Sequence, residues 1–106
     1  MTKHFVYILE CEDGSYYTGY TTNVDKRFKA HCSGRGAKYT RSHKPVKVVL
    51  VEEFRTKSDA MKMEYQIKQL PHNTKAWLIK SWNETVVHIP SNWKTNFTCE
   101  IKDLEC

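Results

Sequence analysis

Two β-prone segments around one tight turn limit the fold of this chain more than any other feature. His4-Phe-Val-Tyr-Ile-Leu-Glu-Cys11 is rich in β-branched and aromatic residues, Asp13-Gly14 is a turn signal, and Ser15 to Thr21 reads as the returning strand. Two registers are open to such a hairpin. A two-residue Asp13-Gly14 loop pairs Tyr7 with Tyr20 and turns Tyr17 to the opposite face. A three-residue Glu12-Asp13-Gly14 loop, with Gly14 left-handed in a bulge, pairs Leu9 with Tyr17 and Tyr7 with Gly19, and both tyrosines then share a face.

Downstream, Thr22 or Asn23 can cap a helix whose apolar positions Val24, Phe28 and Cys32 recur at helical spacing. Ser33-Gly-Arg-Gly36 ends it, since glycine accepts the left-handed conformation of a helix C-terminus. Residues 37–45 read as a basic loop closed by Pro45. Val46 to Phe54 contains V-V-L-V, a run apolar on both faces, which suits a central strand. A second helix begins near Thr56 or Ser58 and runs to about Leu70, with Ala60, Met63, Ile67 and Leu70 as its apolar stripe. A third, capped by Asn73 or Thr74, carries Leu78, Ile79 and Trp82 inward. Beyond Asn83 the periodicity dissolves; Val86 to Pro90 could pack as an extended piece, and Trp93 and Phe97 could anchor loosely. The expected order is β-β-α-β-α-α, an α+β sandwich (α/β in the broad sense) with a three-stranded sheet flanked by helices. The expected division is a domain over 1–83 and a loosely packed or disordered tail over 84–106.

Charge narrows the partner. The chain carries 17 Lys+Arg against 12 Asp+Glu in 106 residues, unevenly placed: residues 1–83 hold 15 basic and 8 acidic side chains, residues 84–106 hold 2 and 4. Between Lys26 and Lys47 lie eight basic residues and no acid. A cationic stretch of that length on a small domain points to a polyanion. Four widely spaced cysteines form no C-x-x-C pair, so free thiols in a reducing cytoplasm are expected. No apolar run is long enough for a signal peptide or a membrane span.

On a helical wheel Arg27 and His31 border the Val24, Phe28, Cys32 stripe, while Lys26 and Lys29 lie opposite. Both border residues can donate hydrogen bonds to one phosphate. Glu64 falls between Ala60 and Ile67, at the margin of the second helix's buried stripe, where a carboxylate needs a cationic partner or a metal. Each feature has a plain structural explanation: the Arg and the Glu pair with each other, the His is structural, and the tyrosines pack across strands.

Their combination is specific. Val6-Tyr-Ile8 on the first strand, Tyr17-Thr-Gly19 on the second, Arg27 ten residues later, His31 one turn on and a helical Glu64 together resemble the GIY-YIG nuclease superfamily, in particular its small single-domain bacterial branch. The segment Gly34 to Thr40 (G-R-G-A-K-Y-T) is similar to that branch too. The resemblance spans roughly residues 3–83. It departs from the usual pattern at Val6, at Thr18, at Tyr20 where many relatives have Lys, and at Asn73, whose spacing does not match a downstream Asn of the family.

The resemblance implies a metal-dependent endonuclease, acting on DNA more readily than RNA with structure preference over sequence preference, in DNA repair or recombination. Tyr7 and Tyr17 become paired active-site tyrosines, Arg27 the ligand of the scissile phosphate, His31 an assistant, and Glu64 the holder of one Mg²⁺ or Mn²⁺ ion. Lys26, Arg35, Lys38, Tyr39, Arg41 and Lys44 become the nucleic-acid contacts, with Tyr39 stacking on a base. Joint chemistry by two tyrosines requires the three-residue hairpin loop. A non-catalytic nucleic-acid-binding module is the alternative, and a basic domain docking on an acidic protein, in which Arg27 and Glu64 simply pair, is a third reading.

Overall fold

The computed structural model describes residues 3–87, with side chains placed through residue 82. Elements follow in the order β1 (His4–Cys11), β2 (Tyr16–Thr21), α1 (Val24–Cys32), α2 (Lys38–Ser42), β3 (Pro45–Phe54), α3 (Lys57–Lys68) and α4 (His72–Val87). The strands form one antiparallel sheet in the order β2-β1-β3. It is the α+β architecture the sequence predicts, with one more helix: α2 is a single short turn inside the basic stretch expected to be a loop. Its one buried residue, Thr40, holds it down.

The hairpin adopts the three-residue loop. Tyr7 opposes Gly19 and Leu9 opposes Tyr17. Gly14 takes φ +82°, a left-handed conformation that suits glycine, and the Cys11 N–H donates to the Ser15 carbonyl at 2.9 Å to close the turn. Asp13 accepts from the Ser15 N–H at 3.0 Å and from its hydroxyl at 2.6 Å.

β1 lies at the centre, and its Phe5–Leu9 run is buried on both faces. Phe5, Tyr7 and Leu9 pack with Val24 and Phe28 of α1; Val6 and Ile8 pack with Ala60 and Ile67 of α3 and Ile79 of α4. Burying each large aliphatic side chain contributes about 1.5–3 kcal/mol, so the two clusters together hold helices on both faces of the sheet. β3 is an edge strand, not the central strand its two-faced apolarity predicts. That apolarity demands cover above and below, which the helices supply, and says nothing of neighbours on either side. A register shift opposite Ile8/Leu9 places Val48 and Val51 on the α1 side and Val49 and Leu50 on the α3 side.

Asn23 caps α1, accepting from the Lys26 N–H at 3.0 Å, and Thr56 caps α3, accepting from the Asp59 N–H at 3.1 Å. α4 begins at His72, directly after Pro71, earlier than its expected caps. The His72 Nε2 donates to the Gly14 carbonyl at 2.8 Å while its ring stacks on Tyr16, pinning the helix to the hairpin loop. The helix continues to Val87, so Val86 and Val87 are helical and not extended; the remaining tail expectations, Trp93 and Phe97 among them, lie outside the described residues. Cys11 is a buried free thiol, as the sequence predicts. Among the described residues no helix is long and apolar enough to cross a membrane.

Candidate active site

β1, β2 and α1 converge on one point on the α1 face of the sheet. Tyr7 and His31 are each 1% exposed, and Tyr7 Oη lies 2.7 Å from His31 Nε2. Tyr17 stands beside both, its ring 6.3 Å from that of Tyr7 and 5.0 Å from the imidazole. The hairpin register creates this triangle. Alternation along the strands brings Tyr7 and Tyr17 to one face, and Gly19 opposite Tyr7 leaves room for the phenol. A Cβ at Gly19 would stand 2.5 Å from Tyr7 Oη and 2.6 Å from Cζ, an overlap that only a shift of the phenol or the strand could relieve.

His31 is held from behind as well. Its Nδ1 lies 2.7 Å from Thr40 Oγ1, and the Thr40 hydroxyl is 3.0 Å from the Ala37 carbonyl. Gly36 passes so close to the imidazole that any Cβ there would collide with it. The similarity noted over Gly34 to Thr40 therefore has a physical basis: the segment is a cradle for His31. Sequence reasoning missed Gly36 and Thr40 as site residues, although the segment itself stood out.

Both nitrogens of His31 are engaged and the ring is buried, so it does not border the core and is not free to donate to a phosphate. Burial, and then the neighbouring positive charge of Arg27, lower its pKa to about 4, which keeps the imidazole neutral at physiological pH. Burial is also the main reason the Tyr7 phenol is pushed well above its ordinary value. The nearby Tyr17 and the Glu64 carboxylate push the same way, and the Arg27 guanidinium pulls against them. Arg27 and Glu64 thus flank Tyr7 electrostatically, from α1 and α3.

Glu64 sits half-buried on α3, its side chain 13% exposed, and pairs with Lys68 one turn on at 3.6 Å. Among the ion pairs of the described residues none joins Arg27 to Glu64, so the simplest structural explanation of these two residues does not hold. Glu64 is the carboxylate here that could hold a cation. No group of three or more His, Cys, Asp or Glu converges on a metal position among the described residues. A lone carboxylate fits an ion that keeps most of its waters, as Mg²⁺ does.

The basic residues divide. Lys38 and Arg41 are exposed on α2 beside Thr40, and Lys26 is exposed on α1. Arg35 is exposed but bonds Ser33 Oγ through Nε at 3.0 Å, and Lys44 pairs with Glu12 at 3.8 Å near the hairpin loop. Tyr39, 37% exposed, stacks face to face on His43 at 4.0 Å and lies 5.9 Å from Tyr17. One of its faces is already covered by His43.

Residues 3–76 match the family described as the GIY-YIG catalytic domain. The chain is 54% identical over 77 residues to the UPF0213 protein BH0048 of Halalkalibacterium halodurans, covering 73% of this chain and 82% of that one. It is 50% identical over 80 residues to the UPF0213 protein SH2523 of Staphylococcus haemolyticus, covering 76% and 98%. Among solved structures, the solution NMR structure of the protein EF2693 from E. faecalis aligns with TM-score 0.55 and 38% identity over 78% of this chain and 88% of that one. That of BH0048 itself aligns with TM-score 0.49 at 52% identity over 74% and 83%. With the family match over most of its length, and with the tyrosine hairpin, Arg27 and Glu64 gathered about one buried phenol, this chain belongs to the GIY-YIG family.

Proposed function

We propose that the protein is a divalent-metal-dependent endonuclease that hydrolyses phosphodiester bonds of nucleic acid, DNA before RNA, in the cytoplasm. The observation that carries this reading is the buried Tyr7–His31 pair at 2.7 Å, with Tyr17, Arg27 and Glu64 around it. Arg27 binds the scissile phosphate and offsets charge growing on its non-bridging oxygens. Tyr7 is too weak an acid to wait as a phenolate, so it works as a relay. It takes the proton of the attacking water as its own proton passes to His31 Nε2. Substrate assists this handover, because a phosphate on Arg27 cancels part of the positive charge that holds the imidazole's pKa down. Tyr17 closes the side of the pair and helps position the water. Glu64 would hold one Mg²⁺ or Mn²⁺ ion; when bound, it supplies positive charge for the leaving oxygen.

Lys26, Arg35, Lys38, Arg41 and Lys44 hold the backbone of the substrate, and Tyr39 meets a base with the side that His43 leaves open. A domain this small makes few contacts to base edges, which favours recognition of nucleic-acid structure over sequence. The reading fits a repair or recombination setting.

The test is cleavage of end-labelled single strands, duplexes, flaps, branched junctions and RNA with Mg²⁺ or Mn²⁺, for the wild type and Glu64→Gln. The expected result is metal-dependent cutting that Glu64→Gln abolishes. Tight, salt-sensitive binding with no cutting by either protein would replace this reading with a non-catalytic binding module. One observation favours that second reading: burial keeps both the Tyr7 phenol and the His31 imidazole neutral at neutral pH.

A further inference from the structure

We infer that Thr40 is a positioning residue that sets the tautomer of His31, and through it the direction in which the Tyr7 proton can travel. The inference rests on the nuclease reading for its purpose, though not for its geometry. Three hydrogens and three acceptors form a chain from the sheet to α2. Tyr7 Oη is 2.7 Å from His31 Nε2, His31 Nδ1 is 2.7 Å from Thr40 Oγ1, and Thr40 Oγ1 is 3.0 Å from the carbonyl of Ala37. The carbonyl at the end can only accept, so the Thr40 hydroxyl proton points to it. Thr40 must then accept from His31, which places the imidazole proton on Nδ1. Nε2 is left with its lone pair toward Tyr7, whose O–H donates to it.

The opposite tautomer leaves more undone. With the proton on Nε2, that nitrogen donates to Tyr7, and the Tyr7 hydroxyl proton loses its acceptor in a site 1% exposed. The Thr40 hydroxyl would turn to Nδ1 and leave the Ala37 carbonyl to the Arg41 N–H alone, at 3.3 Å. One contact argues for this arrangement: the Ala37 N–H points at Nδ1. At 3.4 Å it is longer than the 3.0 Å Thr40–Ala37 bond it would replace, the other two bonds only reversing direction, and a buried hydroxyl without a partner is costly.

Only the Nδ1–H tautomer allows Tyr7 to give up its proton as it receives one. The groups that face the imidazole are the phenols of Tyr7 on β1 and Tyr17 on β2, the Arg27 guanidinium on α1 and the Thr40 hydroxyl on α2. Of these, only Thr40 meets Nδ1 within 3 Å, so the choice of tautomer falls to it. Gly36 has a matching part, because the absence of a side chain lets the 36–40 segment close against the ring.

The test is long-range ¹H–¹⁵N correlation NMR on protein labelled at histidine, with the His31 signals assigned by their loss in His31→Gln. In the wild type His31 should show a protonated Nδ1 and an unprotonated Nε2. Thr40→Ser should keep that pattern, and Thr40→Val should move a measurable fraction of the ring to the other tautomer. Metal-dependent cleavage should fall at least about tenfold in Thr40→Val and stay near wild type in Thr40→Ser. An Nε2–H signature in the wild type overturns the inference without any variant, as does an unchanged spectrum in a folded Thr40→Val. Because the tautomer is read without substrate, the expected spectra in a protein that cuts nothing would sink the nuclease reading and leave the geometry standing.

Discussion

A histidine held neutral inside a fold makes stability depend on pH in a defined window, and His31 allows the size of that dependence to be worked out. In the unfolded chain its pKa is near 6.5, and in the folded protein it falls to about 4. Between those values the unfolded state binds a proton that the native state refuses, so stability falls as pH falls from 6.5 toward 4. From the two pKa values, the native state loses about 2 kcal/mol at pH 5 and almost nothing at pH 7.5. Urea unfolding at both pH values measures it, with His31→Gln as control for every other titrating group. For a domain of this size the wild-type midpoint should drop by about 1 M urea more than that of the variant. Equal drops would show that His31 does not resist protonation, and would remove the ground for a neutral imidazole beside Tyr7.

Gly19→Ala should cost about 1–3 kcal/mol in the same urea assay, because the new methyl overlaps the Tyr7 phenol; a variant of wild-type stability would refute the packing argument. Thr18→Val should raise the stability by about 1 kcal/mol, or roughly 4–8 °C in Tm, since the Thr18 hydroxyl is buried with no hydrogen-bond partner among the described residues. A lower Tm would mean that the hydroxyl has a partner after all. Reversing charge at Lys38 and Arg41 should weaken nucleic-acid binding and flatten its salt dependence by roughly 0.7–0.9 in logarithmic slope per lost phosphate contact. Unchanged titrations across salt concentrations would take α2 out of the interface.

Much of this molecule is legible in the chain because its signals are local. Alternating β-prone residues around Glu12-Asp13-Gly14 make a hairpin, and Val24 with Phe28, or Ala60 with Ile67, mark the buried stripes of two helices. The motif spacing was enough to gather Tyr7, Tyr17, Arg27, His31 and Glu64 as one candidate set. What the chain could not show depends on which segments lie against each other. β3 is apolar on both faces whether it stands at the centre or the edge, so its place beside β1 is settled by pairing across the whole sheet. His31 reads as a border residue on a wheel because a wheel knows only its own helix; the closure of Gly36, Ala37 and Thr40 over it is what buries it. The same holds for proton affinity. The residue types carry ordinary pKa values, and only the tertiary structure, chiefly by removing water from Tyr7 and His31, makes the phenol a weaker acid and the imidazole a weaker base; Glu64 adds to the first shift against the pull of Arg27, and Arg27 adds to the second.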